Sequence, residues 1–256
     1  MTSRDGTRIA VETVGSGPSV VIAAGAFCDR TTSRDLARLL ADEFTVHTYD
    51  RRGRGDSDRP TTPPFDPLRE IADLGAVLSA AGSSHLYGHS SGAVLAALAV
   101  AAGRPVRSLA LYEPPWSVTA RHDGDAGFAR IRELVVADLP GDAAATFLRG
   151  TGAPDEVVDT MRAGPGWSHM EALAPTLPYD LALVGEHGTP TELLRRLSVP
   201  TLVLAGERSA PWARATVDLV TQVIPGARAQ TFGGQNHQVE PAVLAPVLRE
   251  FFTTRT

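Results

Sequence analysis

The chain has 256 residues, with 24 basic against 29 acidic side chains and a net charge of −5 with histidines neutral. Every basic residue is arginine, and the absence of lysine excludes Schiff-base chemistry, a pyridoxal-phosphate lysine and Walker-type phosphate binding. An apolar fraction of 43% and a mean hydropathy near zero describe an ordinary globular chain of one large domain, or one domain carrying an insertion.

The mild acidity argues against nucleic-acid and membrane partners. The single cysteine, Cys28, cannot form an intramolecular disulfide, which fits a reducing compartment. Met1 to Gly6 carries no apolar leader run, and the longest apolar run, Ala93 to Ala102, is shorter than the roughly 20 residues a membrane span needs. A cytoplasmic protein acting on a small molecule is the expectation.

In chain order, Asp5-Gly6 signals a hairpin before the alternating run Thr7 to Val14. Ser19 to Ala24 is apolar nearly throughout and reads as a strand buried on both faces. Thr31 to Asp42 has helix spacing, and Phe44 to Asp50 reads as a strand that ends in a loop rich in Arg, Gly and Asp. Pro67 to Ala81 predicts a helix with Leu68, Ile71, Leu74 and Leu78 on one face. Ser84 to Gly88 is a short strand, Ser91 to Gly103 a small-residue helix, and Ser108 to Tyr112 another strand.

From about Trp116 to Thr189 the strand rhythm stops and short helices with Gly and Pro breaks are expected. It resumes with a strand at Thr201–Ala205, a helix at Arg214–Val223, a strand at Ala227–Phe232 and a closing helix at Ala242–Phe252. This alternation predicts an α/β fold, a mostly parallel sheet covered on both faces. The domain reading is a core of residues 1–115 and 190–256 with a helical insertion at 116–189.

Gly88-His89-Ser90-Ser91-Gly92 fits G-x-S-x-G between a predicted strand and a predicted helix, the context this motif requires. Small residues at 88 and 92 let strand and helix approach while Ser90 stands at the tip, with a strained backbone and positive φ expected. The helix N-terminus beside it favours developing negative charge. The competing reading is a glycine-rich turn with a capping serine.

Together with the stretch Val20 to Phe27, the loop Tyr49-Asp50-Arg51-Arg52-Gly53-Arg54-Gly55-Asp56-Ser57 and Gly234-Gln235-Asn236-His237, this elbow resembles the α/β-hydrolase family across nearly the whole chain. The resemblance implies an eight-stranded, mostly parallel sheet with 116–189 as a helical cap. It also implies that His237, in a Gly-rich loop after the last strand, is the base that activates Ser90. His89 adjoins Ser90 but points differently and is expected on the pocket wall. His47 and His85 lie in strands, and His122, His169 and His187 in the insertion.

The acid that orients the histidine is ambiguous. Most of the family places an Asp shortly after the strand that matches 201–205, where this chain has Ser209. Glu113, at the end of the preceding strand, is the preferred candidate, because ligand groups gather at the carboxyl ends of strands. Some α/β-hydrolases place their acid there. Glu207 is the alternative acid, and an incomplete triad is the third reading. Each glutamate has a plainer reading, an ion pair for Glu113 and a solvated loop charge for Glu207.

For the oxyanion hole, one N–H is expected from Ser91 and the other from Ala26, with Phe27 second; the family's usual His-Gly-X is replaced by Ala24-Gly25-Ala26. Asp50, Arg51 and Arg54 are expected to tie their loop together by charged hydrogen bonds rather than to bind phosphate. Phe27, His89, Trp116, Trp167, Met170 and Trp212 are candidate substrate-pocket walls, and Phe128 a further one; the aromatic and methionine residues fit a packed core equally well.

The resulting expectation is a serine hydrolase acting on a carboxylic ester, lactone or thioester through an acyl-enzyme, with carbon–carbon bond hydrolysis as a relative and no metal or organic cofactor. A serine rather than an aspartate nucleophile disfavours the epoxide-hydrolase and dehalogenase branches. The alternative is a non-hydrolytic use of the fold, as a small-molecule receptor or as a cyclase or eliminating enzyme with His237 as base.

Overall fold

The computed structural model describes residues 1–59, 65–116, 124–185 and 188–254. Seven strands form one sheet: β1 (Val11–Val14), β2 (Ser19–Ala23), β3 (Thr45–Tyr49), β4 (Ser84–His89), β5 (Leu109–Tyr112), β6 (Thr201–Gly206) and β7 (Arg228–Phe232). Their spatial order is β1-β3-β2-β4-β5-β6-β7, with β1 antiparallel to β3 and every other pair parallel.

The described residues thus hold seven strands, not the eight expected. The hairpin predicted at Asp5-Gly6 is present but short: around an antiparallel bridge between Thr2 and Arg8, Met1 and Ile9 exchange backbone hydrogen bonds at 2.8 Å and the Ser3 N–H donates to Thr7 O at 2.8 Å. The alternate residues Arg8 and Ala10 turn their N–H groups the other way, to the arginine-rich loop. The Arg8 N–H donates to the Asp58 carboxylate at 2.8 Å and the Ala10 N–H to the Ser57 hydroxyl at 2.9 Å.

Helices cover both faces of the sheet. On one face lie α2 (Pro67–Ala81), α3 (Ser91–Ala101) and α10 (Pro211–Val223); on the other lie α1 (Arg34–Leu40) and α11 (Pro241–Thr253). Successive strand residues point to opposite faces, so a strand covered on both sides must be apolar at every position. In β2, Val21 and Ala23 join the first core while Val20 and Ile22 join the second; in β5, Leu109 and Leu111 join the first and Ala110 and Tyr112 the second.

The helix expected at Thr31 to Asp42 divides into a 3₁₀ turn, Arg30–Ser33, capped by the Asp29 carboxylate on the Thr31 N–H, followed by α1. α2 starts at the predicted residue. Asp66 caps it through the Leu68 N–H, and Pro67 occupies the first turn, where no N–H is needed.

Between β5 and β6 the described residues form helices and no strand: α4 (Gly124–Val136), α5 (Pro140–Gly150), α6 (Asp155–Arg162), α7 (Trp167–Leu173), α8 (Leu177–Val184) and α9 (Thr191–Leu194). They enclose a third apolar cluster that includes Ile131, Leu134, Ala144, Val158 and Leu177, against which Ala26 and Phe27 of the loop after β2 pack. α8 joins two clusters: Leu177 and Leu181 belong to this third one, Leu183 to the core on the sheet. His122 and His187 lie outside the described residues.

Candidate active site

The turn from β4 into α3 carries Ser90 with φ 56 and ψ −126, a left-handed conformation unfavourable for any residue with a Cβ. Two neighbours make it possible. The Ser90 N–H donates to Tyr112 O at 2.9 Å, and the Ser90 carbonyl accepts the Ala93 N–H at 2.8 Å. Gly92 lies so close to the end of β2 that an added Cβ would sit 2.1 Å from Ala23 O. Gly25 meets the turn from the other side, where a Cβ would sit 2.9 Å from the Ser90 Cβ. The loop bearing Ala26 is therefore packed directly on the serine turn. Phe27, next in that loop, also has a positive φ of 55, and its ring meets Phe147 of α5 edge-on at 5.4 Å.

Glu113 follows β5 directly, with φ 44 and no solvent exposure. Parallel pairing of β5 with β6 puts its carboxylate beside the end of β6. One oxygen accepts the Gly206 N–H at 2.7 Å and the Ser209 hydroxyl at 2.5 Å. The other accepts His237 Nδ1–H at 2.6 Å. Burial alone would raise this carboxyl's pKa, but the bonds from His237, Ser209 and Gly206 hold it below the usual carboxylate value. Glu207 points elsewhere. Its exposed carboxylate accepts the Gly234 N–H at 2.8 Å and so pins the Gly-rich loop that leads to His237. Of the two candidate acids, the structure brings Glu113 to His237 and gives Glu207 a loop contact.

The His237 loop is held from below. Tyr112 OH donates to Asn236 O at 2.6 Å, and His89 Nε2–H donates to the His237 carbonyl at 2.8 Å. His89 thus braces the histidine loop, a role the sequence reading of it as pocket wall missed. Its ring stacks on Tyr112 at 5.5 Å and lies 4.9 Å from His237. Burial and the adjacent His237 lower its pKa to about 4, so it stays neutral near pH 7.

The other predicted wall residues separate. Trp212 meets the His237 ring at 5.9 Å, half-buried beside the site. Trp116 is 1% exposed within the core on the sheet, and its carbonyl accepts the Thr216 hydroxyl. Trp167 is buried in the helical cluster, its Nε1–H on Glu171, with Met170 packed on the same cluster.

The arginine loop departs from its expectation. Asp50 ties the loop as predicted, accepting the Asp56 N–H at 2.8 Å, and it also pairs with Arg30. Arg51 and Arg54, however, reach out of the loop to Asp180 of α8, at 2.8 Å each. A single carboxylate in the apolar run Leu177-Pro178-Tyr179-Asp180-Leu181-Ala182-Leu183 was the available signal, because a buried charge requires a partner. Among the described residues no group of three or more His, Cys, Asp or Glu side chains is arranged to hold a metal ion, and no helix is long and apolar enough to cross a membrane.

A mostly parallel sheet whose central strand runs into a strained serine turn, beside a carboxylate at the end of β5 bonded to a histidine in the loop after β7, defines the α/β-hydrolase class. The chain belongs to the alpha/beta hydrolase family, whose model matches residues 18–247, and it is a hydrolase. A solved alpha/beta hydrolase from Sphaerobacter thermophilus is 44% identical with a TM-score of 0.91, covering 98% of this chain and 99% of that one. A pimeloyl-[acyl-carrier protein] methyl ester esterase from Stenotrophomonas maltophilia is 28% identical over 244 residues, covering 89% of this chain and 88% of the relative. A 2-(acetamidomethylene)succinate hydrolase from Mesorhizobium japonicum is 29% identical over 230 residues, covering 83% and 82%.

Proposed function

We propose that the protein hydrolyses carboxylic esters, a class that includes lactones and thioesters, by way of an acyl-enzyme on Ser90. The observation that carries this reading is the 2.6 Å bond from His237 Nδ1–H to the buried Glu113 carboxylate, at the same sheet edge as the strained Ser90 turn. A carboxylate on Nδ1 fixes the tautomer with Nε2 unprotonated, the nitrogen a general base needs.

Ser90 Oγ attacks the carbonyl carbon while His237 Nε2 takes its proton. The same proton passes to the leaving alcohol, and water repeats the sequence to release the acid. Glu113 orients the imidazole and stabilises its charged form. The Ala26 and Ser91 N–H groups receive the oxyanion. The helical segment between β5 and β6 serves as the cap, with Phe27 and Trp212 beside the reacting groups. The ester-hydrolysing relative is consistent with the substrate class.

Intact-mass labelling with a fluorophosphonate tests the reading. One probe per chain is expected, lost in Ser90→Ala. A wild-type protein that turns over p-nitrophenyl acetate but labels equally with and without Ser90 would overturn it.

A further inference from the structure

We propose that Arg54, clamped by Asp180 of α8, is a positioning residue for the oxyanion hole, so that the helical insertion sets the geometry of the reacting site. The inference rests on the reading of Ala26 and Ser91 as the oxyanion donors. Arg54 is fully buried. Its Nη1–H donates to Gly25 O at 2.5 Å and to Cys28 O at 3.3 Å, while Nη2–H spans both oxygens of Asp180 at 2.9 and 2.8 Å.

The Gly25 carbonyl and the Ala26 N–H belong to one peptide unit. In a planar trans peptide the two point in opposite directions. Fixing the carbonyl on a buried guanidinium therefore directs the Ala26 N–H away from it. A positive charge on the carbonyl oxygen also polarises the peptide and makes its N–H a stronger donor.

The second donor is tied to the same carboxylate. The Ser91 hydroxyl donates to Asp180 Oδ1 at 2.6 Å, and Arg51 Nη1–H reaches Asp180 Oδ1 at 2.8 Å, Ser91 Oγ at 3.1 Å and Ala24 O at 3.3 Å. One oxygen of Asp180 thus fixes the first residue of α3 and, through both arginines, the loop after β2. Arg51 has a second counter-charge in Glu70, at 2.6 Å. Among the described residues Arg54 meets no carboxylate other than Asp180. Burial would push Asp180 towards its neutral form, but the charges of Arg54 and Arg51 keep it ionised. Because Leu181 packs among the insertion helices and Leu183 on the sheet core, Asp180 stands where the two bodies of packing meet.

The test compares Arg54→Lys and Asp180→Asn with Arg52→Lys. Arg52 lies in the same loop and is equally buried, but it pairs with Asp73 and Asp5, away from the oxyanion segments. For each variant, kcat and KM on p-nitrophenyl acetate, the affinity for a trifluoromethyl ketone that forms a hemiketal oxyanion on Ser90, and the melting temperature are measured. Arg54→Lys and Asp180→Asn are expected to lower kcat by about tenfold or more, with KM within about threefold. Ketone affinity should fall in parallel, while Arg52→Lys changes melting alone.

The inference is overturned if the folded Arg54→Lys protein keeps kcat and ketone affinity within about twofold of wild type. It is also overturned if all three variants lose activity only in proportion to their unfolded fraction. If Asp180→Asn does not fold, Arg54→Lys alone decides. Wild-type fluorophosphonate labelling at Ser90 separates this result from failure of the esterase reading, since that labelling must hold whether or not Arg54 matters.

Discussion

Replacing Glu113 by glutamine changes one atom and unbalances a closed set of hydrogen bonds. The carboxylate accepts from three donors, Gly206 N–H at 2.7 Å, Ser209 OH at 2.5 Å and His237 Nδ1–H at 2.6 Å. Glutamine offers one accepting oxygen and one NH₂. If the NH₂ faces His237, Nδ1 must turn acceptor and the proton moves to Nε2, which can then no longer take a proton from Ser90. If the NH₂ faces β6 instead, it opposes the Gly206 N–H in a site with no solvent exposure.

The first arrangement disables the base, and the second leaves a buried donor unsatisfied at about 1–3 kcal/mol. Since the first avoids that penalty, it should dominate. The expected loss is then that of a wrong tautomer, about 10³- to 10⁴-fold in kcat with KM little changed. Steady-state hydrolysis of p-nitrophenyl acetate and the rate of fluorophosphonate labelling measure it, with circular dichroism confirming a folded protein. Adding Ser209→Asp should restore part of the rate, because Ser209 already contacts the Glu113 carboxylate and lies at the end of the neighbouring strand. Glu207→Gln should stay within about threefold of wild type, since its carboxylate only pins Gly234 at the surface. A folded Glu113→Gln protein retaining more than about a tenth of wild-type kcat would refute the assignment.

Three further outcomes follow from the structure. Gly92→Ala places a Cβ 2.1 Å from Ala23 O and 2.6 Å from Ala24 O, both backbone, so α3 must shift; urea unfolding should show a loss of about 3 kcal/mol or more. His85, buried between Ser108 and Phe252, has its pKa lowered by burial from 6.5 to about 4. Between those values the unfolded chain binds the proton that the fold refuses, so stability should fall as pH drops from 6.5 towards 4, by at most about 3 kcal/mol. His85→Phe should make that part of the pH–stability curve shallower, with His89, also lowered to about 4, supplying the remaining slope; an unchanged slope would contradict the burial argument. Glu113 and Asp180, with lowered pKa values, act in the same direction at lower pH. Their contribution is complete above the ordinary carboxyl pKa and is lost as pH falls through the lowered values; Asp180→Asn lacks that titration, so it should be less stable than wild type at neutral pH and the stability gap should narrow in acid, which urea unfolding at several pH values measures.

Much of the fold was determined by local pattern alone. Residues such as Val20 to Ala23 and Leu202 to Ala205 are apolar at successive positions because both sheet faces are covered, so their strands are legible without knowledge of any partner. Ser90 is legible for the same kind of reason. A sharp strand-to-helix turn needs small residues at fixed offsets, and those offsets stand within five consecutive positions. His237 follows from chain order.

For the acid of the proposed triad, sequence favoured Glu113 but left Glu207 and an incomplete triad open. Both end a strand, and what separates them is the parallel pairing of β5 with β6, which aims one carboxylate at His237 and the other at Gly234. The clamp on the loop after β2 lay further still from sequence reading. Asp180 meets Arg51 and Arg54 across 129 and 126 residues, and the loop's own Asp50 offered a nearer partner for both. Periodicity and motif spacing report what a residue's neighbours in the chain require. Which of several charges pairs with which is settled by burial, since a guanidinium taken out of water must find its carboxylate wherever the fold brings one.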